Sequence, residues 1–287
     1  MEATELLKKV RKIEIKTRGL SKHIFAGEYH SAFKGRGMAF SEVREYQYGD
    51  DIRNIDWNVT ARFSHPYIKI FEEERELTVI LLIDVSGSRN FGTQTQLKKN
   101  MITEISAVLS FSVIQNNDKI GVILFSDQVE KFIPPKKGRQ HILRIIRELI
   151  DYQPKSQGTN IAEGLRYFTN AIKKRCTAFL ISDFIDDDYE EAMRIANKRH
   201  DLIALNIYDL RERELPRAGM LRLKDAETGK TLWVDTGRRG TRDRYAEFWK
   251  QENEKFRDLM LRTGLDSASI RTDEDYVPPL MNLFKRR

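Results

Sequence analysis

The chain reads as an α/β protein built on an open, mostly parallel β-sheet with helices on both faces. Three observations point there. Short, continuously apolar runs rich in β-branched residues recur between residues 77 and 208, and such runs suit strands buried on both faces. Between them lie segments whose apolar residues recur at helical spacing. The connections are short, and strand–helix alternation with short connections favours a parallel sheet between two helical layers.

The elements follow in order. Leu6, Leu7, Val10 and Ile13 are helically spaced, which predicts a short amphipathic helix over residues 5–15. From Gly19 to Phe71 glycines, aromatics and charges alternate without a period, so loops and short strands are expected. Leu77–Asp84 (LTVILLID) is the first buried strand. Gln96–Ile114, apolar at Leu97, Met101, Ile105, Val108 and Leu109, is a helix with a broad buried face. Lys119–Phe125 is a second strand, and Val129–Ile133 a short edge strand closed by Pro134-Pro135. Helices are expected over His141–Ile150, Ile161–Lys174 and Tyr189–Arg199, the second capped by Thr159-Asn160. Thr177–Ser182 and Asp201–Tyr208 are further strands. Leu221–Lys224 and Thr231–Val234 flank a Glu-Thr-Gly-Lys turn and read as a β-hairpin. A helix over Asp243–Arg262 and a strand over Ser267–Arg271 close the series.

The 287 residues divide on this reading into an amino-terminal extension, 1–75, and an α/β domain, 76–287. One cysteine, Cys176, excludes an intramolecular disulfide framework and suits a reducing cytoplasm. The first residues lack the basic-then-apolar layout of a signal peptide. No apolar run approaches the ~20 residues needed to cross a bilayer. A cytoplasmic protein without a membrane span is expected. The net charge of +7 raises the question of nucleic acid, but the excess is spread as +2 over residues 1–75, +3 over 76–234 and +2 over 235–287. Nucleic-acid binders concentrate their charge on one face or tail, so an ionic solvated surface is the better account.

In open parallel sheets, ligands bind beyond the carboxyl ends of the strands. The first strand ends in Asp84-Val85-Ser86-Gly87-Ser88, where a carboxylate and two hydroxyls at alternate positions can share one direction and Gly87 permits a tight bend. Thr159, in the loop before a helix, offers a third hydroxyl. Asp183, closing the Thr177–Ser182 strand, offers a second carboxylate. Oxygen-only ligation suits a hard divalent cation, Mg²⁺ first, with Mn²⁺ or Ca²⁺ as alternatives.

Asp84-x-Ser86-x-Ser88, then Thr159, then Asp183 resemble the metal-ion-dependent adhesion site of the von Willebrand factor A family, in order and in strand context. The resemblance spans residues 76–275 and implies the Rossmann-like fold of that family. It also implies that the metal serves recognition, with an acidic side chain of a partner completing its coordination. Residues 35–62 (GRGMAFSEVREYQYGDDIRNIDWNVTAR) are similar to the hallmark of the domain of unknown function 58 family, which joins such a segment to a von Willebrand A-like domain. The matching positions include Gly35, Gly37, Arg44, Asp50, Asp56 and Trp57. Arg44, Arg53 and Arg62 stand there among Glu42, Asp50, Asp51 and Asp56. Arginine forks pair with carboxylates, so an internal ion-pair lattice clamping the segment to the α/β domain is expected, with Phe40 and Trp57 as anchors. A second binding face and an acidic nuclease-like site are the alternatives.

Family resemblance implies a non-enzymatic adaptor for a MoxR-type AAA ATPase, and for other von Willebrand A proteins, in chaperone-like assembly or activation of clients. Two other classes compete. A metal-dependent hydrolase would need a general base or a second metal beside the site. A basic nucleic-acid-binding protein would show steeply salt-dependent affinity. The five histidines are scattered, Gly35-x-Gly37 lacks the strand-to-helix context of a dinucleotide fingerprint, and no P-loop is present.

Overall fold

The computed structural model of the chain describes residues 39–72, 77–92 and 97–287. They fall into two compact units, one within residues 33–77 and one running from residue 78 to the end. The helix expected over residues 5–15 lies outside the described residues, as do Gly35 and Gly37.

The smaller unit pairs β1 (Ala39–Glu45) with β2 (Tyr67–Glu72) as an antiparallel ribbon. Between them stand a single 3₁₀ turn and a helix, α1 (Trp57–Phe63). The strands agree with the expectation for this stretch, but α1 does not. Seven residues are too few to display a helical period. Its signal is the Asp56 N-cap, whose carboxylate accepts from the amides of Asn58 (3.0 Å) and Val59 (3.3 Å). Arg44 grips Asp50 with both arms of its fork, at 2.9 and 2.8 Å. Trp57 is 71% exposed, so it is not an anchor within the core of this unit.

The larger unit is a six-stranded sheet. Its strands are β3 (Thr78–Asp84), β4 (Lys119–Phe125), β5 (Val129–Lys136), β6 (Thr177–Ser182), β7 (Asp201–Tyr208) and a last strand, Asp266–Arg271. That last strand is β10 once the separate hairpin β8 (Met220–Lys224) and β9 (Thr231–Asp235) is counted. The order across the sheet is β10-β7-β6-β3-β4-β5, parallel throughout except at the β5 edge.

The helices are α2 (Lys98–Gln115), α3 (Arg139–Asp151), α4 (Ile161–Ala171), α5 (Glu190–Arg199), the short α6 (Leu210–Arg213), α7 (Arg239–Thr263) and α8 (Val277–Lys285). Alternate strand residues separate the two layers. Ile80, Leu82, Ile123, Phe125 and Leu180 join a core with Leu165 and Phe168 of α4, Met193 of α5 and Phe256 of α7. On the opposite face α2 packs against β3, β4 and α3, and Phe179 meets Phe284 of α8 with ring centroids 6.1 Å apart.

Several elements depart from expectation, among them the helix from Ile161, which ends at Ala171 rather than Lys174. Strand β5 continues through Pro134-Pro135 to Lys136, with a register shift opposite Ile120 and Val122. An edge strand tolerates the missing amides. Helix α7 begins at Arg239, four residues before the expected Asp243. Helix α8 was not foreseen, because Pro278-Pro279 reads as a breaker although proline is compatible with a first helical turn.

The chain leaves β3 for β4 and β5 on one side, then returns to place β6 on the other. The carboxyl ends of β3 and β6 therefore flank the switch point of the sheet, where a crevice opens.

Candidate metal centre

Asp84 ends β3 beside Ser182, the end of β6. It is buried, and each of its carboxylate oxygens accepts a hydrogen bond. One oxygen accepts from the amide of Ser86 at 2.9 Å and the other from the hydroxyl of Ser182 at 2.7 Å. Ser182 in turn accepts from the amide of Phe184 at 3.1 Å. Phe184 has φ +57, a left-handed backbone that costs a bulky residue about 1–2 kcal/mol. Its ring is buried against Phe256, centroid distance 4.8 Å, and that packing holds the turn.

The Ser86 and Ser88 hydroxyls lie 3.2 Å apart, and Ser88 also bonds to Asp183. Gly87 donates to the carbonyl of Gln157 at 2.9 Å, which ties the β3 turn to the loop bearing Thr159. The structure therefore gathers Asp84, Ser86, Ser88 and Asp183 into one cluster and sets the Thr159 loop against it. The Thr159 hydroxyl donates to Glu227 at 2.7 Å.

Asp183 carries a cation already. Lys98, 2% exposed, places its ammonium 2.9 Å from Asp183 and 2.6 Å from Glu212. Glu212 is held by the capping box of α6, where its carboxylate accepts from the amide of Asp209 at 3.0 Å. Its backbone carbonyl accepts from the hydroxyl of Tyr245 on α7 at 2.6 Å. Neither Lys98 nor Glu212 was singled out from the sequence. A signal existed for Lys98, since it precedes Met101, Ile102 and Ile105 at i+3, i+4 and i+7 and so lies on the buried stripe of α2. Glu227 sits in a hairpin turn with nothing in its neighbourhood to mark it.

The electrostatics follow from this geometry. Burial, and then the negative charge of Asp183, push Asp84 up to about 6. Burial also works against the charge on Asp183, but Lys98 outweighs it and holds that carboxyl below its usual range. Burial opposes the charge on Lys98 too, and Asp183 and Glu212 together raise it. Glu212 moves up despite the same ammonium because its own burial is the larger effect. Glu227, exposed as a residue, has its carboxyl raised by partial burial and by the field of Asp183.

The donor set fits a hard divalent cation. Around the crevice, Asp84, Asp183, Glu212 and Glu227 oppose Lys98, Arg89 and Arg213, with Arg89 close enough to feel Asp84 and Arg213 close enough to feel Glu212 and Asp183. Four carboxylates against three cations leave a net negative charge. No group of three or more His, Cys, Asp or Glu ligands occurs among the described residues, so any cation here depends on hydroxyl oxygens. Soft metals prefer other donors. The one thiol, Cys176, is buried 3.4 Å from His200, and burial pushes it up to about 12.

The profile described as "Protein of unknown function DUF58" matches residues 42–255. The chain belongs to the DUF58 family. An uncharacterised DUF58 relative from Mycobacterium tuberculosis is 26% identical over 283 residues, covering 97% of this chain and 88% of its own. YeaD of Bacillus subtilis, also uncharacterised, is 29% identical over 109 residues, or 38% of this chain and 25% of its own. Among solved structures, an aerotolerance-related membrane protein from Bacteroides fragilis aligns with 73% of this chain and 97% of its own, at TM-score 0.49 and 14% identity. BatB from Bacteroides thetaiotaomicron aligns over 73% and 98% at TM-score 0.44. In this DUF58 chain, no helix among the described residues is long and apolar enough to cross a membrane.

Proposed function

We propose that this DUF58 protein is a cytoplasmic, metal-dependent protein-interaction module, an adaptor for a MoxR-type AAA ATPase in assembly or activation of client proteins. Asp84, Ser86, Ser88, Thr159 and Asp183 would hold one divalent cation, Mg²⁺ first and Mn²⁺ or Ca²⁺ as alternatives. When bound, the cation offers an electron-poor point to an acidic side chain of the partner. The observation that carries the reading is the cluster of the Asp84 and Asp183 carboxylates with the Ser86 and Ser88 hydroxyls at the switch point of the sheet, with the loop of Thr159 set against it. The choice of ATPase, and of other von Willebrand A proteins as further partners, rests on the resemblance of the chain to that family.

The residues themselves do the positioning. Ser182 and the Ser86 amide fix the Asp84 carboxylate, and Lys98 fixes Asp183. Hydrolysis is the competing reading, and the weaker one because each carboxylate of the cluster already accepts a hydrogen bond from a neighbour. Asp84 is held by Ser182, Asp183 by Lys98, and Glu227 by Thr159.

The test is Mg²⁺-dependent capture of the MoxR-type ATPase from the same genome, with wild type beside Asp84→Ala and Ser86→Ala. Capture by wild type that chelator and both substitutions abolish is the expected result. Capture indifferent to all three would move the contact surface away from the crevice.

A further inference from the structure

The hairpin β8–β9 pairs only with itself and makes no ladder with the main sheet. Its strands are largely exposed. Its turn, however, is built tightly and aimed at the crevice. Asp225 accepts from the amides of Glu227 and Thr228, both at 2.9 Å, and its own amide donates to the Lys230 carbonyl at 2.8 Å. Gly229, at φ +70, supplies the left-handed residue that the turn requires. The Ala226 carbonyl lies so close to Gly87 that a methyl group there would stand 2.3 Å from its oxygen. One residue on, the Glu227 carboxylate accepts from Thr159 at 2.7 Å. The hairpin thus touches the crevice at two points, one on the Asp84–Ser88 turn and one on the threonine of the Thr159 loop.

We infer that Glu227 is a built-in acidic ligand of the metal centre, covering it until an acidic side chain of a partner protein displaces the hairpin. The inference rests on the metal-dependent reading above. It gives that reading a resting state, in which the chain's own carboxylate stands in for the partner's. Among the described residues the turn meets the crevice through these two contacts and β8 and β9 are largely exposed, while the base of the hairpin is pinned where the buried Thr236 bonds to Gly219. The partner need supply only a better-placed carboxylate and its own surface. Any acidic segment that matches the crevice less well than Glu227 is excluded by competition, so the hairpin also sets a threshold for recognition.

The experiment uses the full chain and Mn²⁺ as probe, with affinity read by electron paramagnetic resonance and bound water by the relaxation of solvent protons. Wild type is compared with Glu227→Ala, with Glu227→Gln, which keeps an acceptor for Thr159 but removes the charge, and with Asp84→Ala. The expected result is Mn²⁺ binding to wild type that is lost in Asp84→Ala and roughly tenfold weaker in both Glu227 variants, as for removal of one charged ligand. Proton relaxation per bound Mn²⁺ rises in Glu227→Ala as water enters, and added acetate reverses that rise in the variant alone. Equal affinity and equal relaxation in wild type and Glu227→Ala, with binding still dependent on Asp84, would overturn the hairpin's role and leave the metal centre standing. No Mn²⁺ binding sensitive to Asp84→Ala in any variant would remove the metal centre, and the inference with it.

Discussion

Lys98 is a charged side chain in a place where the helix pattern calls for an apolar one. Its ammonium neutralises part of a buried acidic pocket, and removing it would strand Asp183 and Glu212 without their cation. Breaking a buried pair from one side costs about 3–5 kcal/mol. Lys98→Met is therefore expected to lower the unfolding free energy by that amount, read as a lower urea midpoint with an unchanged slope, and a loss under about 1 kcal/mol would mean that both carboxylates find other partners. At this scale the sequence was readable where chemistry and position coincide. Asp84, Ser86, Ser88 and Asp183 announce themselves because polar residues end apolar strands on one edge of the sheet. Lys98 was readable only as a lysine on an apolar stripe, and it was passed over. Ser182 and Glu227 were not readable. What each does depends on which loops meet in space, and no local spacing encodes that.

The connections between elements carry as much structure as the strands. Glu130, on β5, accepts from the hydroxyls of Ser126 (2.8 Å) and Tyr152 (3.0 Å) and from the amides of Lys155 (3.0 Å) and Ser156 (3.2 Å). One carboxylate thereby fastens the β4–β5 turn to the loop that leads on to Thr159. Burial resists its ionisation, but those four donors outweigh burial and hold its carboxyl below the ordinary 4.5. A depressed carboxyl stabilises the fold above the unfolded value and loses that contribution as pH falls through the folded one. Wild type is thus expected to lose an advantage over Glu130→Gln below pH ~4.5, while above it the variant is weaker by about 0.5–1 kcal/mol, solvent screening the charge. Denaturation midpoints of both proteins across that range check the sign, and a constant gap at every pH would refute it. Most element ends were legible to within two or three residues because apolar runs stop abruptly at charges. The misses have separate physical causes. Helix α1 is shorter than two turns, α8 hides behind two prolines, and β5 runs through prolines that only an edge strand accepts.

For the whole molecule, the fold class followed from alternation, since parallel strands need crossovers and crossovers need helices; the strand order did not. The hairpin was visible as a hairpin but not as a lid, because its meeting with Gly87 joins segments about 140 residues apart along the chain. Stability should not hinge on the cation. In chelator the protein is expected to keep its far-ultraviolet circular dichroism and to melt in a single cooperative transition, with added Mg²⁺ raising the midpoint by mass action. A gradual, non-cooperative melt in chelator would show that the metal organises the fold, as it does in zinc fingers.

The reason lies with Lys98, the permanent counter-ion of Asp183. A receptor whose folding waited for its ion would be cleared by proteases whenever the ion ran short. On the proposed reading, scarcity would leave an intact protein that has merely stopped binding its partner, and binding would return with the next ion to arrive, with no new protein synthesised.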